Sequence, residues 1–259
     1  MNYTPKEVIE AYTENAAEEN ETEDELSLRT AIPREFIRKY ISSADRALDA
    51  GGGAGRNAAL MASLCSSVTL LDITPRVLEY ARQHLRDAGV EKIVELAEGD
   101  ICDLRRFDDG SFSFVVCVGD ALSYVRDRRE QALGELVRVA RSGAVLILGG
   151  DSLYGFLRMA IDEGRLDEAR EMLDTGETYC GMGPRTHLYT AAEMEALLEQ
   201  QGCDLLEAAS TPSVSEFVNI GPYLEAGRWR DLLDLEMELC TRPELGGSGL
   251  HLLWVAKKR

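Results

Sequence analysis

Residues 48–56, LDAGGGAGR, place an acid and a run of glycines directly after a short apolar stretch. Arg46 to Ala50 reads as a buried strand, and Ala58, Met61, Leu64 and Cys65 then recur at helical spacing, so the glycines fall in a strand-to-helix turn. Glycine at 51, 53 and 55 lets the backbone adopt positive φ and approach a ligand where a side chain would stand in the way. The amides that open the following helix favour negative charge. These features predict a site for a nucleotide-like ligand.

Two registers fit that turn. Gly53-Ala54-Gly55-Arg56-Asn57-Ala58 satisfies the looser form of the dinucleotide fingerprint. Asp49-x-Gly51-x-Gly53-x-Gly55 puts the acid first with glycines at alternate positions, and resembles motif I of the class I S-adenosylmethionine (AdoMet) dependent methyltransferases. A second apolar strand, Val68 to Asp72, ends in a carboxylate placed to accept hydrogen bonds from both hydroxyls of a ribose, which suits either ligand. A third, Ile93 to Ala97, runs into Glu98-Gly99-Asp100-Ile101, and a fourth, Phe112 to Val118, runs into Gly119-Asp120-Ala121-Leu122-Ser123-Tyr124. Four landmarks in family order across residues 45–150 carry the resemblance.

The resemblance implies a role for each matching position. Asp49 orients the loop or meets the amino acid part of AdoMet, and Gly51, Gly53 and Gly55 lie against the cofactor. Asp72 takes the ribose, Asp100 takes the adenine amino group, and Ile73 and Ile101 sandwich the ring. Gly119, Asp120, Ser123 and Tyr124 border the transferring methyl, as the motif IV region does. S-adenosylhomocysteine is the implied product. No Asn-Pro-Pro-Tyr-like tetrapeptide follows the fourth strand, which argues for a small-molecule acceptor at O, N or C rather than the exocyclic amino group of a base.

From residue 45 strands and helices alternate, predicting an α/β, doubly wound, Rossmann-like sheet that is mostly parallel. The ending HLLWVAKKR resembles the family's antiparallel last strand and completes seven. The expected organisation is one domain over 1–259: a helical lid at 1–44 with an acidic joint at Glu18 to Glu25, a cofactor-binding core at 45–150, and inserted lid elements at 151–188 and 211–248. On the lid, Tyr12 is placed to close over the methionine tail, and Tyr154, Tyr179, His187 and Tyr189 to read the acceptor. His187 and Asp120 are the candidate bases, with Tyr124 beside them. His251, on the last strand, reads as a satisfied core or edge histidine.

Composition narrows the partners. The formal charge of −18 repels phosphate backbones and anionic lipid, so nucleic-acid substrates are disfavoured. Six cysteines without a C-x-x-C pair and three histidines without ligand spacing predict reduced structural thiols and no metal site. No apolar run approaches the ~18 residues of a membrane span, and the N-terminus lacks a signal-peptide core, so a cytoplasmic monomer or homodimer is expected. Two further readings stay open: a non-catalytic regulatory protein that binds AdoMet or S-adenosylhomocysteine, and a nicotinamide oxidoreductase using the Gly53-x-Gly55-x-x-Ala58 register.

Overall fold

A computed structural model describes residues 2–16, 26–179 and 184–259. The expected acidic joint at Glu18 to Glu25 lies outside the described residues. Seven strands form the main sheet: β1 (Arg46–Ala50), β2 (Ser67–Asp72), β3 (Val94–Glu98), β4 (Phe112–Cys117), β5 (Ala140–Asp151), β8 (Cys203–Thr211) and β9 (His251–Lys258). Their order is β3-β2-β1-β4-β5-β9-β8. β1 to β5 pair in parallel, and β9 runs antiparallel to both β5 and β8. This is the predicted sheet, with its last strand reversed. Strand order switches at β1 and β4, and the crevice outside the carboxyl ends of such strands is where an open α/β sheet takes its ligand.

Alternation along β1 shows how the sequence builds two layers. Leu48 and Ala50 join a cluster with Leu122, Leu133, Leu136 and Leu198, while Ala47 points to the opposite face among Ile32, Phe36, Met61 and Leu78. The helices Leu28–Tyr40, Arg56–Ala62 and Pro75–Asp87 cover the second face. Arg129–Val139 and Ala191–Gln200 cover the first. Pro75 opens its helix, where its missing N–H costs nothing. Thr190 Oγ1 accepts the Glu193 amide at 3.2 Å as the N-cap of the helix it precedes.

Glycines shape three stretches of the chain. β5 spans 140–151, and Gly149 and Gly150 continue the strand instead of ending it. A Cβ on Gly150 would stand 2.7 Å from the Tyr189 ring, so glycine there is a packing requirement. The 151–188 segment holds two helices, Leu153–Asp162 and Leu166–Thr175, turning at Gly164 (φ +75°), then a hairpin of β6 (Glu177–Tyr179) and β7 (Arg185–His187). Its helices pack on each other through Phe156, Ala160, Ala169 and Met172. In 211–248 the helical stretch is broken at Gly227 (φ +66°) into Gly221–Glu225 and Trp229–Leu239.

Candidate active site

A cavity of about 290 Å³ opens at the carboxyl ends of β1 to β4. Its floor is the glycine turn. Gly51 and Gly53 hold φ of +72° and +52°, and a Cβ on Gly51 would meet Ala121 Cβ at 2.6 Å. A Cβ on Gly52 would lie 2.7 Å from Asp49 Oδ2, so the turn wraps the buried Asp49 carboxylate tightly. The loop amides turn inward: Gly51 and Gly52 both donate to Leu71 O, at 2.7 and 3.1 Å, and Gly53 donates to Asp72 Oδ2 at 3.0 Å. Amides spent in this way do not cradle a pyrophosphate.

Asp72 ends β2 with both oxygens engaged, Oδ1 accepting the Thr74 amide at 2.8 Å. Burial pushes its carboxyl above the ordinary value, against the pull of the Thr74 and Gly53 amides. Two amide bonds leave lone pairs on each oxygen for a diol. Asp100 accepts the Cys102 amide at 2.8 Å on Oδ1 and the Tyr3 hydroxyl at 3.1 Å on Oδ2. Burial, and then the Asp100 charge, push the Tyr3 phenol up, which keeps it a donor. Ile73 and Ile101 line the same wall.

The N-terminal helix Pro5–Glu14 closes the cavity through Val8 and Tyr12, and Tyr3 precedes it on the same side. The Tyr12 hydroxyl donates to that of Tyr124 at 3.2 Å, their rings edge to face. Arg126 clamps the start of this segment, its Nη2 donating to Asn2 O at 2.6 Å. It does so from a left-handed backbone (φ +41°) that a non-glycine residue rarely adopts.

Gly119, Asp120 and Tyr124 line the far wall, as the sequence suggested. Behind them a second cavity of about 240 Å³ shares Asn57, Val118, Gly119 and Asp120 with the first, and adds Arg29, Thr30, Thr211 and His251. Asp120 therefore faces both spaces. His251 Nδ1 lies 3.6 Å from Asp120 Oδ1 and 3.4 Å from Asp151 Oδ1. Burial disfavours its charged form, but these two carboxylates outweigh that and raise its pKa.

The structure does not bring every predicted residue together. Gly55 (φ +81°) is outside the cavity lining; a Cβ there would meet Leu70 Cδ1 at 2.9 Å, so its bareness lets helix 56–62 sit on the sheet. Ser123 is buried and accepts the Asp151 amide at 2.8 Å. His187 lines neither cavity: its Nε2 lies 2.8 Å from Glu193 Oε1, a carboxylate that also pairs with Arg129. Tyr189 is core, its hydroxyl donating to Leu122 O at 3.0 Å, while Tyr154 and Tyr179 are exposed. Sequence reading gave Asp151 no role and took His251 for a core or edge histidine. The signal for both is register: they face each other across β5 and β9.

Charge decides which ligand the first cavity takes. Asp49, Asp72, Asp100 and Asp120 line it, and no Lys or Arg does among the described residues. Four carboxylates repel the phosphates of a dinucleotide and attract a sulfonium or ammonium group. AdoMet carries both cationic groups and a ribose, so these residues fit it.

The family described as Methyltransferase domain matches residues 48–148. A ubiquinone biosynthesis O-methyltransferase of Xanthomonas euvesicatoria pv. vesicatoria (strain 85-10) is 35% identical over 82 residues, which cover 32% of this chain and 33% of the relative. The match thus spans about a third of that relative's length. The fold is shared with a chain of the complex between the Haloferax volcanii Trm112 methyltransferase activator and its methyltransferase (TM-score 0.66, 17% identity, 96% of each chain). It is shared also with a SAM-dependent methyltransferase of Methanosarcina mazei (TM-score 0.62, 20% identity, 86% of this chain and 96% of that one). The family match covers residues 48–148, and the sheet order and loop register over that stretch agree with a methyltransferase domain of the AdoMet-dependent class I kind. AdoMet is the methyl donor of that family.

Proposed function

We propose that the protein transfers a methyl group from AdoMet to a small molecule seated in the second cavity, at a hydroxyl oxygen. One observation carries this: a donor cavity walled by carboxylates meets an adjoining, partly polar cavity at Asp120. The Xanthomonas relative, named as an O-methyltransferase, supports an oxygen acceptor.

AdoMet supplies an electrophilic methyl on sulfonium sulfur, so the protein's work is placement. In this reading Asp72 holds the ribose, Asp100 the adenine amino group, Ile73 and Ile101 the ring faces, and Asp49 with Gly51 and Gly53 the amino acid end. Tyr12, Tyr124 and the N-terminal segment exclude water from the donor side. Holding donor and acceptor in line across the Asp120 boundary can contribute about 7–11 kcal/mol to lowering the barrier. No helix of the described residues is long and apolar enough to cross a membrane, and a chain of −18 charge suits an uncharged or cationic acceptor better than a polyanion.

The test is incubation with methyl-labelled AdoMet and a panel of small phenols, alcohols and amines, followed by extraction. Label is expected in a hydroxyl-bearing product, and Asp120→Asn is expected to reduce its rate at least tenfold. Tight AdoMet binding with no label passed to any class of acceptor would instead support the regulatory reading.

A further inference from the structure

Three chemistry-bearing side chains meet beside the second cavity, Asp120 and His251 lining it and Asp151 buried next to His251. Asp120 follows β4, Asp151 is the last residue of β5, and His251 is the first of β9, directly opposite Asp151 in the ladder. One ligand atom from each lies within 4.8 Å of the other two. We propose that Asp120, Asp151 and His251 form a binding site for a divalent transition cation such as Mn²⁺ or Zn²⁺.

The spacing separates this from a hydrogen-bonded dyad. A carboxylate that simply orients an imidazole sits about 2.7–2.9 Å from its nitrogen. Here His251 Nδ1 stands 3.4 Å from Asp151 Oδ1 and 3.6 Å from Asp120 Oδ1. Ligands about 2.0–2.1 Å from a shared zinc ion lie about 3.3–3.4 Å apart in a tetrahedral site. The two separations from His251 are close to that spacing, and the two carboxylates lie within 4.8 Å of each other.

A second observation is independent of the cluster's spacing. Asp151 is fully buried, and its Oδ1 accepts no hydrogen bond among the described residues, although Oδ2 accepts the Thr186 hydroxyl at 2.6 Å. His251 Nδ1 faces that oxygen at 3.4 Å without a hydrogen bond, and a buried carboxylate oxygen left so is costly unless a cation bound between them answers it. The nearest basic side chain lining this cavity, Arg29, is engaged elsewhere: its Nε donates to Glu216 Oε1 at 2.8 Å. Two carboxylates and a neutral imidazole would together balance a charge of +2.

The donor set sets the ion. Carboxylate oxygens suit Mg²⁺, Ca²⁺ and Mn²⁺, imidazole suits Zn²⁺ and its neighbours, and the mixture favours the borderline transition ions. Three protein ligands leave positions open toward the cavity. If the methyl-transfer reading holds, those positions would take the acceptor's hydroxyl oxygen and favour loss of its proton to solvent before the new C–O bond forms. The cation site itself needs neither donor nor acceptor.

The experiment titrates the intact, metal-free protein with MnCl₂, following loss of the free-ion EPR signal, and with ZnCl₂ by calorimetry. One saturable site is expected. Asp151→Asn and His251→Ala should each weaken it at least about tenfold, while circular dichroism and AdoMet affinity stay as in the wild type. Absence of saturable Mn²⁺ and Zn²⁺ binding overturns the site, and so does unchanged affinity in both variants; the cluster would then be an imidazolium between two carboxylates. Because the titration contains no AdoMet and no acceptor, its failure is distinct from failure of methyl transfer.

Discussion

Asp72 shows how one side chain can be organised for a ligand at a cost to the free protein. Its oxygens are fixed by the Gly53 and Thr74 amides, yet burial still disfavours its charge. Donation from a ribose diol would relieve that, since hydrogen bonds to a charged group contribute about 1.5–3 kcal/mol each. Asp72→Ala is therefore expected to weaken AdoMet binding by about 10- to 100-fold, with far-UV circular dichroism unchanged; an unaltered dissociation constant would remove Asp72 from the ribose. Residue type and spacing made Asp49, Asp72 and Asp100 legible because each follows a strand that the apolar pattern announces. The same reasoning failed for the histidines. His187 was favoured for lying on an expected lid, but it is tied to Glu193, whereas His251 was set aside although its register opposite Asp151 puts it at the cavity. Gly55 failed differently, since a glycine that admits a helix onto a sheet looks in sequence like one that admits a ligand.

At the scale of elements, the helix Trp229–Leu239 is fastened to the end of β8 by one carboxylate. Glu236 is fully buried; its Oε2 accepts the Ser213 amide and hydroxyl at 2.8 and 2.7 Å, and its Oε1 accepts the Val214 amide at 3.1 Å and the Ser215 amide and hydroxyl at 2.7 and 2.6 Å. Burial pushes its pKa up, but the Ser215 and Ser213 donors outweigh this and hold it below the ordinary value. A depressed native pKa stabilises the fold above the unfolded-state value, ~4.3 for Glu, and that contribution is lost as pH falls through the native value. Glu236→Gln turns an amide donor toward surrounding donors, and is expected to cost about 2–4 kcal/mol at pH 7 in urea unfolding. The gap to wild type should narrow below about pH 4; an equal gap at both pH values would contradict the assignment. Neither this anchor nor the two-helix form of 153–175 was legible, because both depend on Gly164, Gly227 and contacts distant in sequence. The core strands were legible because each is a short apolar run closed by an acid or glycine.

At the scale of the whole molecule, the sheet brings the turns after β1, β2, β3 and β4 to one edge, and with them four aspartates that no single stretch of sequence would group. The two loop registers, equally good as strings, part company once folded: the loop amides turn inward, Gly55 packs on Leu70, and the cavity carries no cationic side chain among the described residues. The ligand is thereby defined as one with a ribose and positive charge, not one with a pyrophosphate. Calorimetric titration of the ligand-free protein with AdoMet, S-adenosylhomocysteine and NAD⁺ in parallel tests this most directly. Saturable one-to-one binding of AdoMet and its demethylated product, with NAD⁺ at least 100-fold weaker, is the expected result. Binding of NAD⁺ with no heat from either sulfur compound would contradict the account.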